Sequence, residues 1–416
     1  MARKTAKKEL EKDLKVGISS AVFVGKAQVS SDSFPEAACK EGKTWKHVRN
    51  SFGVNIGDGN THYIRVNGGY KTDKPLLYVR DKEFKPIQIA WDDRFNKEKL
   101  ANVADQDFIR VRIARNAEGK LITKQFLSPI DVSEYLNEHL ANDEDIVVST
   151  DVEYSTYNDN TYTNFNIKGI YLNEARTVNE VEQPKRAPEA TMRQTYFLNE
   201  HSLGKTWLKD LKEQGFTTVN GFVPQYISKL NDVEVKKVLP FARQFKIEIP
   251  VELEDEKKAK LLNVFKRYFV VPKDTVREIS LVMKLNEGYV ETTGEAEITA
   301  EMQELIDAGI MTEEEIKKDV TIRGDRVSEV IFVKPGFKKV DDSEQKVIAI
   351  DDGKYSPEAL VFPDFDSDDD DLEEDDGLNF DSSDFDDDDE DETESETETE
   401  EEKDPLDDLF SDDIWN

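Results

Sequence analysis

A single cysteine, Cys39, is all that 416 residues contain. No intramolecular disulfide can form, which fits a reducing compartment. Long apolar runs are also missing, and none approaches the ~18 residues that a membrane-spanning helix needs. The opening stretch MARKTAKKELEKDLK is basic and lacks the apolar centre of a secretory signal. A soluble, cytoplasmic protein without a membrane partner is therefore expected. Catalytic signatures are scarce as well. No phosphate-loop glycine pattern leads into Lys-Ser/Thr, and both VNGGY and GDGN read as β-turns. The four histidines, His47, His62, His139 and His201, stand apart without metal-ligand spacing and read as surface or half-buried residues. Cys39 has no neighbour pattern of a nucleophile. No cofactor, metal site or enzymatic activity is expected.

Acid is present in excess, and it is concentrated. The formal net charge is -34. Of the 90 Asp and Glu residues, 30 lie between Asp364 and Asn416, against one lysine. Residues 1–250 instead hold 35 acids and 38 bases. A near-neutral body thus carries a polyanionic tail whose charges repel and whose apolar content is too low to offset ordering entropy, so the tail is expected to be disordered. The tail ends on DPLDDLFSDDIWN, where Leu409, Phe410, Ile414 and Trp415 stand among Asp412, Asp413 and other acids. A solubility segment does not need aromatics at its tip; a segment that docks into a partner's pocket does.

Hydropathy patterning divides the body. Residues 1–15 form a basic flexible arm. From 16 to 175 the alternation gives strands at VGISSAVFVGKAQVSS and THYIRVNGGY, a hairpin at KPLLYVRDKEFKPIQIAW and a strand at DFIRVRIAR. A helix follows at SPIDVSEYLNEHL, then two strands at DIVVSTDVEYSTYND and YTNFNIKGIYLNE. Residues 30–60 read as mostly loop. Strands, a helix, then two more strands is the element order of an OB-fold, a small Greek-key barrel. Residues 176–195 read as a polar, proline-bearing linker. Residues 196–360 give strand, strand, helix (EDEKKAKLLNVFKRYF), strand, short helices at TAEMQELIDAGIMTEEEIKKDV, and strand. That order fits either a second OB-like domain or an α+β companion. The fold class expected is mainly β with α+β additions, followed by the acidic tail from 361 to 416.

Aromatics interleave with cations along the strands of the first domain. The set comprises Trp45, Arg49, Tyr63, Arg65, Tyr70, Lys71, Lys74, Tyr78, Arg80, Trp91, Arg94, Arg110, Arg112, Tyr154, Tyr157 and Tyr162. Single-stranded nucleic acid offers phosphates, which cations bind without sequence preference. It also offers unstacked bases, each worth ~1–3 kcal/mol against an aromatic face. About half of any strand's side chains point inward, and Phe84, Phe108 and Phe165 are the expected core members of this region.

The stretch Asp145–Leu172, DIVVSTDVEYSTYNDNTYTNFNIKGIYL, resembles the last two strands of bacterial single-stranded DNA-binding proteins, with Tyr154, Tyr157 and Tyr162 flanking the tip YNDN. The whole plan is similar too: OB body, linker, acidic tail and hydrophobic tip. The family's tip is Asp-Asp-Ile-Pro-Phe; here Asp412-Asp413-Ile414 runs into Trp415-Asn416, without the proline and with Asn at the last position. In length the chain looks more like the single-stranded DNA-binding proteins of large bacteriophages. The resemblance covers residues 16–172 and the tail. It implies that the chain coats single-stranded DNA during replication or recombination. It also implies that the tip recruits replication or recombination proteins while the tail competes with DNA. Two other readings stay open: an acidic chaperone or DNA mimic that binds basic proteins, and an RNA-binding or recombination-mediator OB protein. Oligomeric state is not legible.

Overall fold

The computed structural model describes residues 10–57, 59–157, 160–178, 181–230, 233–250, 253–291, 323–339 and 346–362, with Gln303, Ile306 and Thr312. Most of the basic arm, the short helices expected near 300–320 and the acidic tail with its tip (Leu409, Phe410, Asp412, Asp413, Ile414, Trp415) lie outside the described residues.

The first half runs β1 (Ser19–Gln28), β2 (Ala38–Cys39), β3 (Trp45–Asn55) and β4 (Thr61–Lys71). An insertion follows: β5 (Leu76–Arg80), β6 (Pro86–Ala90), a 3-10 turn at Trp91–Asp93, α1 (Lys97–Leu100), β7 (Ile109–Arg112) and β8 (Lys124–Phe126). Then come α2 (Pro129–His139), β9 (Asp145–Tyr157) and β10 (Asn160–Leu172). Five of these strands close a ring. β1 pairs antiparallel with β3, and β3 with β4. β4 lies parallel to β10, with Arg65 opposite Asn166. β10 pairs antiparallel with β9, and β9 with β1.

Alternation drives the closure, because every second side chain faces inward. Phe23, Phe52, Val54, Ile64, Val66 and Phe165 share one core. Ile167 and Ile170 are out of step for a regular strand, and a bulge between Ile167 and Gly169 brings both inside. Ser128 starts α2 by accepting a hydrogen bond from the Ile130 amide, and Pro129 occupies its first turn. Val132 and Leu136 then enter the ring's core.

The second half repeats this wiring. After the hairpin β11 (Arg176–Val178) and β12 (Val181–Gln183) come β13 (Glu189–Leu198), α3 (Trp207–Glu213), β14 (Phe216–Leu230) and β15 (Val233–Glu248). They are followed by α4 (Asp255–Phe269), β16 (Arg277–Glu291), β17 (Arg323–Pro335), β18 (Phe337–Lys339), β19 (Lys346–Ile348) and β20 (Ile350–Asp352). β13 pairs antiparallel with β14, and β14 with β15. β15 lies parallel to β17, β17 antiparallel to β16, and β16 antiparallel to β13. The helix again falls between the third and fourth ring strands. α4 buries Phe265 and Phe269 against Phe245 and Phe332.

The first strand of each ring joins the two. β1 and β13 pair antiparallel from Ser19–Gln194 to Val24–Glu189, which makes a single 14-stranded sheet among the described residues. The seam is cross-bonded. Gln194 Oε1 accepts from Ser19 Oγ at 2.8 Å and from the Tyr154 hydroxyl at 2.9 Å. Arg243 of β15 lies over the Tyr154 ring at 5.0 Å and donates to Thr161 O at 3.0 Å. A second contact joins the turn before β4 to β16: Asn60 donates to Asn286 Oδ1 at 2.9 Å and accepts from the Glu287 amide at 2.8 Å.

Several sequence expectations need correction. The linker expected over 176–195 includes much of β13, a strand paired on both sides. The loop expected over 30–60 contains β3. Its alternation is masked by Asn50, a buried polar residue that donates to Pro35 O at 2.9 Å and to Ser133 Oγ at 2.5 Å. VNGGY is not a turn but the end of β4. Gly69 is required there because a Cβ would run into the carbonyl oxygen of Lys46 on β3. Phe84 is 41% exposed in the β5–β6 turn, with φ of 61°, whereas Phe108 and Phe165 are buried as expected. His62 is not a surface residue: it is fully buried against Phe23 and Phe165.

Candidate nucleic-acid interface

The β3–β4 ribbon supplies a platform. Its register sets Trp45 opposite Lys71, Arg49 opposite Asn67, Ser51 opposite Arg65 and Gly53 opposite Tyr63. Inward positions on the same strands are Val48, Phe52, Ile64 and Val66, all buried, so the other parity forms one outer face. Tyr63 is 61% exposed on that face, Arg49 is exposed, and Trp45, Arg65 and Lys71 are half-buried. Trp45 stacks on His47 two residues along, with an interplanar angle of 19°. The face continues onto β10 through Tyr162, which is 45% exposed, and through Asn166 and Lys168.

Electrostatics beneath this face are set by Glu153 of β9. Its carboxylate accepts from Asn166 Nδ2 at 2.6 Å. Burial and the neighbouring Asp151 push its pKa up, while Asn166, Lys168 and Arg65 pull it down, and the net direction is up. Burial holds the Arg65 guanidinium below its ordinary value, opposed by Glu153. Asp151 pairs with Lys168 at 3.1 Å. The acids on this part of the sheet are thus held by their own neighbours.

A second group lies at the other side of the ribbon's end. Tyr70 stacks on Trp91, with ring centroids 4.0 Å apart and planes at 23°. The Arg94 guanidinium sits 4.0 Å from the Trp91 ring and 4.5 Å from that of Phe95, which is 55% exposed. Arg94 is held by bonds to Asp131 of α2 at 3.0 and 3.2 Å and to Trp91 O at 2.8 Å. Asp131 is buried, and burial raises its pKa against the opposing pull of Arg94. Tyr70, Trp91, Arg94 and Phe95 therefore form a fixed ladder of flat groups with one open end. A planar ring or base can extend such a ladder.

Other residues expected at the site fall elsewhere. Tyr154 is a correction: it is buried in the core at the seam, where its hydroxyl bonds Gln194, so no base can reach it. Its parity matches inward-facing Val152, a distinction the tyrosine-rich sequence around it hides. Tyr157 is the last residue of β9. Lys74 lies exposed between β4 and β5. Tyr78 and Arg80 share the open side of the β5–β6 hairpin, and Arg80 is paired with Asp107 at 2.5 Å. Arg110 and Arg112 are half-buried on β7, Arg110 within 3.8 Å of Asp105. His47, Asn166, Lys168 and Glu153 also lie on or beside this face, outside the set expected from sequence. Strict counting by twos from Tyr162 would have reached Asn166 and Lys168.

Among the described residues, no group of His, Cys, Asp and Glu is arranged to hold a metal ion, and no helix is long and apolar enough to cross a membrane. No protein-family model matches the chain, and no curated protein matches it. Among solved structures, it is similar to a deletion mutant of the single-stranded DNA binding protein from Thermus aquaticus. Identity is 10% over 65% of this chain and 88% of that one, with a TM-score of 0.25, too low to identify a fold.

Proposed function

We propose that this chain binds single-stranded DNA without sequence preference, through two OB-type barrels joined side by side, and that it has no catalytic role. One observation carries the reading: the outer face of the second and third strands of the first ring, with Trp45, Arg49, Tyr63, Arg65 and Lys71 on one side of one ribbon. That strand pair is where OB barrels take oligonucleotides. The ring order, closed through strands one, two, three, five and four with a helix before the fourth, supports the barrel assignment in both halves. Exposed aromatics supply base stacking and the cations supply phosphate contacts, a pairing suited to single strands. DNA as the natural ligand, and replication or recombination of bacteriophage DNA as the setting, rest on the sequence resemblance.

The tail completes the proposal. Its net charge makes it a competitor for a cationic face, and Leu409, Phe410, Asp412, Asp413, Ile414 and Trp415 are the residues proposed to recruit replication or recombination proteins once DNA displaces it. The test is fluorescence anisotropy of labelled oligo(dT) across a salt series, with the full chain and a chain ending at Phe362. Salt-sensitive binding that tightens on removal of the tail, with duplex bound far more weakly, is expected. Failure of both chains to bind at low salt would remove the function and leave basic proteins as the partners to examine.

A further inference from the structure

A cleft of about 440 Å³ opens where the two rings meet, a size that suits a small ligand or part of a larger one. Both rings line it. Glu153 comes from β9, Arg193 from β13, Tyr226 from β14, Phe337 and Lys339 from β18, and Lys346 from β19. Tyr226 and Phe337 are each 48% exposed, so two aromatic side chains remain uncovered beside three cations. The acids of the cleft are already engaged: Asp151 with Lys168 at 3.1 Å, and Glu153 with Asn166 at 2.6 Å. Lys346 has no acid partner among the described residues.

The position of the cleft matters as much as its lining. Asn166, which bonds Glu153, stands opposite Arg65 in the β4–β10 pairing. The outer face of the first ring therefore runs from Trp45 and Tyr63 across Arg65 and Asn166 to the lip of the cleft without crossing an uncompensated acid. The cleft offers the same chemistry as that face, aromatic surface next to cations.

We propose that the cleft is a second contact site for the same single strand, with bases against Tyr226 and Phe337 and phosphates against Arg193, Lys339 and Lys346. This rests on the reading of the β3–β4 face as a nucleic-acid surface. It gives the second ring a share of the site, and it makes the occluded length of nucleic acid longer than one barrel alone would cover.

The experiment compares the full chain with two full-length variants, Y226A/F337A and K339Q/K346Q, against oligo(dT) of about 8 and about 30 nucleotides, lengths chosen around the site size of one OB barrel. Thermal melts of each variant verify folding, which half-exposed side chains leave intact. The aromatic variant is expected to bind the short strand as the parent does and the long strand about fivefold or more weakly. The lysine variant is expected to flatten the log–log salt slope for the long strand by about 1.4. Parent-like binding of the long strand by both variants would overturn the cleft and leave the β3–β4 face standing. Unchanged DNA binding with lost binding of a synthetic peptide of residues 403–416 would also overturn it, in favour of an acidic peptide ligand. If the parent chain binds neither strand, the reading of the β3–β4 face fails first and the proposal falls with it.

Discussion

Tyr63 and Tyr154 sit on strands of the same ring, yet they predict opposite phenotypes. Tyr63 is 61% exposed, so Tyr63→Ala should leave the melting temperature unchanged and weaken oligo(dT) binding by about 1–3 kcal/mol in an anisotropy titration. Tyr154 is 2% exposed and bonds Gln194 at the seam. Tyr154→Ala should cost about 3–5 kcal/mol of stability in denaturant melts, through cavity formation and a lost hydrogen bond, with DNA affinity little altered while the chain stays folded. His62 gives a pH signature. Burial lowers its pKa from 6.5 to about 4. In the unfolded chain it takes up a proton near pH 6.5, and in the folded chain only near pH 4, so acidification favours the unfolded state across that window. Stability from this residue is present above about pH 6.5 and falls by on the order of 3 kcal/mol as the pH drops toward 4. Stability curves of the parent and of His62→Gln should diverge in slope between those limits, with the shallower slope in the variant. Equal slopes would contradict the burial argument.

At the scale of elements, the Tyr70–Trp91–Arg94–Phe95 ladder ties the insertion to α2 through the Arg94–Asp131 pair. Arg94→Ala leaves Asp131 charged and buried without its partner, a change that costs about 3–5 kcal/mol. Arg94→Lys keeps the charge but loses the planar contact with both rings. In urea melts the alanine variant should be the less stable of the two, and the lysine variant intermediate between it and the parent. Equal loss of stability in the two variants would mean that stacking, not charge pairing, holds the ladder. The ladder was partly legible in the sequence: Tyr70, Trp91 and Arg94 stand in the aromatic and cationic pattern, but their stacking with Phe95 depends on a hairpin packing against α2, which no local pattern encodes. The strands β9, β10, β14 and β16 and the helices α2 and α4 were legible because period-two or helical spacing runs through each with few interruptions. β3 was not, since Asn50 occupies a core position. β13 was not either, since the prolines just before it, Pro184 and Pro188, mark a linker by composition while the residues after them alternate as a strand.

For the whole molecule, the β1–β13 pairing and the Arg243, Asn60 and Gln194 contacts fuse the rings into one sheet. Unfolding by calorimetry should show one transition for both rings, and two resolved transitions would contradict a shared core. The duplication itself was only partly legible. The element order of the second half hinted at it, but the two halves show no convincing sequence repeat, and closure of each ring depends on pairings between residues far apart in the chain. The open face of β3 and β4 is proposed to hold single-stranded nucleic acid. Ultraviolet crosslinking of oligo(dT) to the full chain, followed by mass-spectrometric mapping of adducts, tests it most directly. Adducts on peptides containing Trp45, Tyr63 or Tyr162 are predicted. Adducts absent from all three, with crosslinks concentrated elsewhere, would contradict it.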